Sequence, residues 1–298
     1  VLLSDERRTD GRKITWIGAA VNMAMIALKL AAGWLGHSQA LIADAIHSAS
    51  DVITDVVVLV GLSAGRRPPD ESHLFGHGRI ETLASMLVGG ALLLVAVSIG
   101  FKSGLDIYAH VERHPTLLAI AAAAVSILAK EALYRYTVLV GRREHSPAIL
   151  ANAWHHRSDA LSSVAVLIGV TGAWLNPAWH ILDAYAALVV SLLIFLVGLD
   201  VIRNSLKEFT DTAPAPEIMT QVESCARKVQ GVIDVHDLKA RTSGGQVQLE
   251  VHIVVDGGQS VRAGHAIAKE VETCLLAEVD QLAQVTIHVD PAEEENDE

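Results

Sequence analysis

Apolar residues in the first two thirds of the chain gather in six runs, each separated from the next by a short polar stretch. The runs fall at residues 14–35, 40–64, 80–101, 117–140, 149–175 and 179–202. A helix needs about 20 mostly apolar residues to cross the hydrocarbon layer of a bilayer, so the pattern predicts an all-α bundle of six membrane-spanning helices. An even number returns both ends to one side. Arg7, Arg8, Arg12 and Lys13 precede the first run, and Arg66, Arg67 and Arg79 separate the second from the third. Arg142 and Arg143 follow the fourth run and Arg203 and Lys207 the sixth, against only Lys102 and Arg113 in the opposite loops. Basic loops stay on the cytoplasmic side, which predicts cytoplasmic termini and a charged cytoplasmic leader in place of a cleavable signal.

Near residue 208 the pattern changes. Pro214 and Pro216 mark a boundary, followed by a helical run at 217–229, an apolar run at 232–238 and a Gly244-Gly245 turn. A strand of alternating apolar and polar residues at 246–255, a helical run at 261–276 and a last strand at 285–289 complete the chain. The order αββαβ predicts a small α+β domain with its helices on one face of a sheet. The expected domains are therefore a six-span region at 1–207, a soluble domain at 208–292 and an acidic, disordered tail at 293–298.

Charge changes the picture in the soluble part. The formal net charge is -11, and from Glu208 onward 18 Asp and Glu stand against 6 Lys and Arg. Such a domain repels the phosphates of nucleic acid and attracts cations. Cys225 and Cys274 lie in no CxxC arrangement, so neither a disulfide framework nor a thiolate zinc site is expected and both are read as reduced.

Within the apolar runs, ionisable residues cost several kcal/mol unless they face a cavity or find partners. Asp44, His47, Asp51 and Asp55 are spaced by 3, 4 and 4 residues, which keeps them on one helical stripe at about 100° per residue. His155 and Asp159 repeat the His-x-x-x-Asp device in the fifth run, with Asn152, Ser162 and Ser163 near the same face. Two such pairs supply two imidazole nitrogens and two carboxylate oxygens, a donor set suited to tetrahedral Zn2+. Either pair alone also fits a polar helix face or a hydrogen-bonded core histidine. Asp44 and Asp55 could line entrance paths or simply be solvated. His156 and Arg157 point elsewhere around the helix and are read as interfacial or structural, while snorkelling or local pairing accounts for Lys29, Lys130, Glu131 and Asp183.

Outside the spans, Asp70, His73 and His77 stand in a Gly- and Pro-rich loop that fits an exposed metal site or a solvated His-containing turn. His236, His252, His265, His288 and Asp290 fall on the soluble domain's predicted elements. His252 shares the polar face of its strand with Gln248 and Glu250, and His288 and Asp290 point the same way from the last strand.

Three stretches resemble the cation diffusion facilitator family. They are Leu41-Ile-Ala-Asp-Ala-Ile-His47-Ser-Ala-Ser-Asp51, the loop from Pro69 to Glu81, and Ala151-Asn-Ala-Trp-His155-His-Arg-Ser-Asp159-Ala. The resemblance covers essentially the whole chain and implies six spans followed by a cytoplasmic, metallochaperone-like (ferredoxin-like) domain. It implies a homodimer in the bacterial inner membrane, with His47, Asp51, His155 and Asp159 as the transport site. Asp70, His73 and His77 would be a second site, and His236, His252, His265, His288 and Asp290 a binuclear zinc site joining two cytoplasmic domains. Arg79 and Asp211 would be a charge interlock.

Many bacterial members carry Asp where this chain has His47. The extra imidazole shifts the expected cargo toward borderline-soft Zn2+ and away from Mn2+, with Cd2+, Co2+, Ni2+ and Fe2+ remaining open. Protons compete with metal for these ligands, so export by proton antiport is expected, without ATP, since the chain has no Walker-type loop or aspartyl-phosphate motif. An intramembrane metalloprotease would need an HExxH helix that the chain lacks. A metal-responsive or nucleating membrane scaffold would keep the same ligands without turnover.

Overall fold

The computed structural model describes the backbone of residues 2–292 except 66, 68, 145, 146, 280 and 281. Side chains are described from Trp16 onward, apart from those six positions and residues 54, 55, 58–65, 141, 144, 147–149, 151, 152, 155, 158 and 177. The expected tail at 293–298 lies outside the described residues.

Six long helices come first: α1 (Leu2–Leu35), α2 (Gln39–Gly65), α3 (Gly78–Tyr108), α4 (Leu117–Glu144), α5 (Pro147–Leu175) and α6 (Ile181–Phe209). Among the described residues, Trp16–Leu35, Gly78–Tyr108, Leu117–Val140 and Ile181–Phe209 are long and apolar enough to cross a membrane, and Asp159–Leu175 is a shorter apolar stretch. Several helices outrun their apolar runs, because helical hydrogen bonding continues through polar residues that end a hydropathy signal.

By packing, the chain divides into one unit of residues 1–56 and 88–200 and a second of 57–87 and 201–298. The first is built on small side chains. Ala40, Ala43, Ala119, Ala122, Ala123 and Ala187 are buried beside Val166, Val170 and Val190. Water does not drive helices together inside lipid, so close approach of small residues does. At Gly169 a Cβ would come within 2.4 Å of the Ala186 Cβ, so α5 and α6 touch where a side chain is missing. Leu94, Leu128 and Ile168 are about two-thirds exposed, as a lipid-facing surface requires.

The start of α2 is fixed from two sides. The Ser38 hydroxyl accepts from the Leu41 N–H at 3.1 Å. Asp183 of α6 in turn accepts from the Ser38 hydroxyl at 2.6 Å and from the Gln39 N–H at 2.7 Å. A carboxylate at a helix N-terminus satisfies free N–H groups and complements the dipole. Local pairing, not snorkelling, therefore describes Asp183.

The soluble domain follows the expected order: α7 (Pro216–Lys228), β1 (Asp234–Ser243), β2 (Gln246–Val255), α8 (Val261–Glu278) and β3 (Leu282–Pro291). The sheet runs β1-β2-β3, antiparallel in the first pair and parallel in the second. Gly244 and Gly245 both have positive φ, 58° and 68°, the geometry a tight hairpin demands at its two central residues. Leu249, Val251, Ile253 and Val255 alternate onto one face and are buried with Val222, Ala226, Val271 and Leu275 of the two helices. The Ser260 hydroxyl caps α8 by accepting from the Ala263 N–H.

Two expectations change. The strand placed at 232–238 lies two residues later and runs to Ser243, with a register shift between His236 and Lys239 where Asp237 takes a positive φ of 47°. Such an irregularity breaks the alternation that a sequence pattern depends on. Cys225 and Cys274, read as reduced, are joined by a disulfide. Helices α7 and α8 lie side by side on the apolar face of the sheet, and 49 residues of separation conceal that contact.

Candidate metal centres

Helix α2 carries the polar stripe, and its residues divide by depth. His47 and Asp51 are partly buried and line a cleft of about 560 Å³. Asp159 and Ser162 of α5 line the same cleft, closed on the α6 side by Leu193, Leu196 and Val197. Three of the four residues of the paired motif thus share one space. The side chain of the fourth, His155, lies outside the described residues, as does that of Asp55.

Asp44, one turn from His47, is neither solvated nor lining this cleft. It is fully buried against Lys29 of α1, whose Nζ lies 2.8 Å from its Oδ2. Lys29 also donates to Ser48 at 3.2 Å and to Ser163 at 3.1 Å, and the Ser163 hydroxyl donates to Asp44 at 2.8 Å. Lys130 of α4 is buried too, its Nζ 2.7 Å from Oδ2 of Asp159. Neither lysine snorkels: both are 1% exposed or less. Local pairing, the other expected alternative, describes both: each is tied to an acid, and Asp159 is also a candidate ligand. An isolated charge inside an apolar run was the available signal.

His156 is buried and Arg157 lies over the rings of Tyr134 and Trp154 at 4.9 and 5.4 Å, which fits their structural reading. Glu131 pairs with Arg135 one turn along α4.

The loop before α3 is folded around Asp70. Its Oδ1 accepts from the Ser72 N–H and hydroxyl at 2.9 Å each and from the His73 N–H at 2.7 Å. The Ser72 hydroxyl, with the His73 N–H behind it, holds this carboxyl well below the ordinary carboxylate range. The turn leaves Oδ2 facing His77 Nε2 at 3.3 Å, while His73 Nδ1 is 3.3 Å from Oδ1. Ligand atoms of Asp70, His73 and His77 all lie within 4.8 Å of one another. Among the described residues His77 Nδ1 is buried with no hydrogen-bond partner, although an imidazole in such a place ordinarily has one.

On the soluble domain the strands align three imidazoles in a row. His236 pairs with His252 across β1 and β2, and His252 with His288 across β2 and β3. Asp290 gathers them: its Oδ2 lies 3.0 Å from His252 Nδ1 and 3.4 Å from His236 Nε2, and its Oδ1 lies 3.1 Å from His288 Nε2. The row occupies the polar face because His252 alternates with core residues along β2. His265 does not join it. It stands on α8, against the opposite face, beside a separate groove with Ser260, Val289 and Pro291.

Arg79 pairs with Asp211 through its Nη2 and donates to the Phe209 carbonyl at 3.4 Å. Arg241 reaches the other Asp211 oxygen at 3.6 Å and lies 5.4 Å from the centre of the Phe75 ring. The Glu208 carboxylate accepts from the Gly244 N–H. Arg241, Phe75 and Glu208 had no motif to mark them.

Comparison with known proteins agrees with this layout. Residues 15–210 match the family model of the cation efflux transmembrane domain, and residues 214–292 that of the cation efflux protein cytoplasmic domain. The chain is 33% identical to the manganese efflux system protein MneP of Bacillus subtilis (strain 168), over 98% of this chain and all of that protein. It is 34% identical to the magnetosome protein MamB of Magnetospira sp. (strain QH-2), over 94% of each chain. A nickel form of a MamM CTD variant is 22% identical with a TM-score of 0.26, over 26% of this chain and 100% of that one. Six helices with a cleft lined by His47, Asp51 and Asp159, a cytoplasmic α+β domain and two family models that together span nearly the whole sequence lead to one assignment: the chain belongs to the cation diffusion facilitator family of divalent-metal efflux transporters.

Proposed function

We propose that the chain exports Zn2+ from the cytoplasm in exchange for protons, by alternating access, with His47, Asp51, His155 and Asp159 as the ligands of the moving ion. One observation carries this reading: His47, Asp51 and Asp159, from two helices, line a single cleft in the helical region. His47 favours zinc, since an imidazole nitrogen suits a borderline-soft ion better than the hard oxygen of a carboxylate. A relative named for manganese efflux makes Mn2+ the cargo to test against.

Loading requires ionised carboxylates and neutral imidazoles, so a proton arriving at the site and a metal leaving it compete for the same atoms. That competition couples the two fluxes without a further energy source. Residues 1–207 would form the transport region, in a bacterial inner membrane with both termini cytoplasmic. Residues 208–292 would sense metal as part of a homodimer. Asp70, His73 and His77 would load metal near the membrane region. The imidazole row with Asp290, joined in the dimer by His265, would bind the regulatory zinc, and Arg79 with Asp211 would act as the interlock.

Purified protein in liposomes tests this reading with Zn2+, Cd2+, Fe2+, Mn2+, Co2+ and Ni2+ in turn. Zinc uptake should exceed manganese uptake and collapse when the pH gradient is abolished. Manganese as the preferred ion would overturn the zinc assignment, and flux indifferent to the gradient would overturn antiport. Metal binding without flux of any ion would indicate a scaffold.

A further inference from the structure

Two lysines are buried in the helical region, and their surroundings differ. Lys29 meets one acid and two hydroxyls, Asp44, Ser48 and Ser163, which together match the three donors of an ammonium. None of these partners lines the cleft. Lys130 has one hydrogen-bond partner among the described residues, Asp159, at 2.7 Å. Asp159 is also a lining residue of the cleft, whose walls come from α2, α5 and α6, whereas Lys130 belongs to α4. The ammonium therefore reaches the carboxylate from outside the cleft wall while the cleft reaches it from inside.

We propose that Lys130 is a tethered cation of the transport site, holding Asp159 when no metal is bound and giving it up when metal enters. The idea rests on the reading of Asp159 as a transport ligand. With Asp51 and Asp159 ionised, the site carries two negative charges, and a divalent ion alone neutralises them. An ammonium left in contact would add an uncompensated positive charge in a low-dielectric interior, so metal and ammonium compete for one oxygen. After release the ammonium returns to the Asp159 carboxylate. Lys130 thus weakens metal binding and eases unloading. It is a positioning residue that acts through Asp159. Removing its charge should tighten binding and slow turnover together, a pairing that loss of a merely structural contact would not produce.

Zinc binding and zinc flux are measured on the full chain in lipid nanodiscs and liposomes, with Asp51→Ala defining the share of binding that belongs to the cleft. Lys130→Met should bind zinc at the cleft at least about tenfold more tightly, with maximal flux reduced about fivefold or more, while Lys130→Arg stays within about threefold of the parent in affinity. Unchanged or weaker affinity in Lys130→Met overturns the proposal. If Asp51→Ala and Asp159→Ala each leave total zinc binding and flux unchanged, the site reading itself fails, a result distinct from failure of Lys130 alone. Should Lys130→Met not fold, the unmodified protein decides: labelling of Lys130 by a small amine-reactive reagent, read by peptide mass spectrometry, should rise several-fold on zinc saturation. Labelling indifferent to zinc overturns the proposal.

Discussion

The cleft of the helical region and the imidazole row of the sheet use the same side chains in opposite surroundings. In the helices, Asp159 is buried and its charge is met by the Lys130 ammonium. On the sheet, Asp290 is partly exposed and meets three imidazoles, with water free to approach. Where water cannot reach, a carboxylate needs a protein cation or an ion at every moment. Where water can reach, a ligand cluster rests without one. On the proposed function, cargo release at the cleft and metal sensing on the sheet would ask different things of the same residue types: the first a replacement charge, the second only an affinity.

The contrast breaks most visibly if the cleft is not the place of transport. Asp51→Ala removes a lining carboxylate, and zinc flux into liposomes should fall to background while the dimer survives on size exclusion. Breaking a buried pair is the next largest effect. Lys29→Met leaves Asp44 uncompensated and should destabilise the protein by about 3–5 kcal/mol, with most of that recovered in the Lys29→Met, Asp44→Asn double variant. Thermal melting in detergent reads both.

The sheet should behave otherwise. Asp290→Asn should weaken zinc binding to the soluble face about tenfold, or about 1.4 kcal/mol, as read by calorimetry. Its melting temperature without metal should stay near the parent's, because surface substitutions cost within about 0.5 kcal/mol.

How far these regions could be read from sequence follows the same division. Periodicity located all six long helices and the αββαβ order, since apolar runs and alternating strands record which face is buried. Of the stripe from Asp44 to Asp55, His47 and Asp51 line the cleft, and of the second His-x-x-x-Asp pair Asp159 does. Pairing between distant helices left no such trace. Lys29 meets Asp44 and Ser163, 134 residues from Ser163, and Lys130 meets Asp159, in each case through a contact that no spacing rule encodes. Cys225 and Cys274 were misread for that reason, and the first strand was misplaced because the irregularity at Asp237 interrupts its alternation. His265 was grouped with the sheet histidines through the family resemblance, as part of a site shared by two cytoplasmic domains; within one chain its helix packs on the other face of the sheet.

The smallest expected effect is at the loop. Asp70 has a folded carboxyl value below its unfolded one of about 3.9, so its contribution to stability is present above that pH and is lost only as pH falls through the lower folded value. Moderate acidification from neutrality should therefore leave Asp70 ionised. Ser72→Ala should move the Asp70 carboxyl upward, as followed by carbon-13 NMR, yet change loop metal affinity at neutral pH by less than about twofold, because the carboxylate stays ionised in both proteins.

The central claim is that one metal ion sits among His47, Asp51 and Asp159. Diffraction from zinc-loaded crystals, recorded on both sides of the zinc absorption edge, tests it most directly. An anomalous peak in the cleft, within about 2.0–2.2 Å of a His47 nitrogen and carboxylate oxygens, is the predicted result. Peaks confined to the Asp70 loop and the Asp290 row, with the cleft empty at saturating zinc, would contradict it.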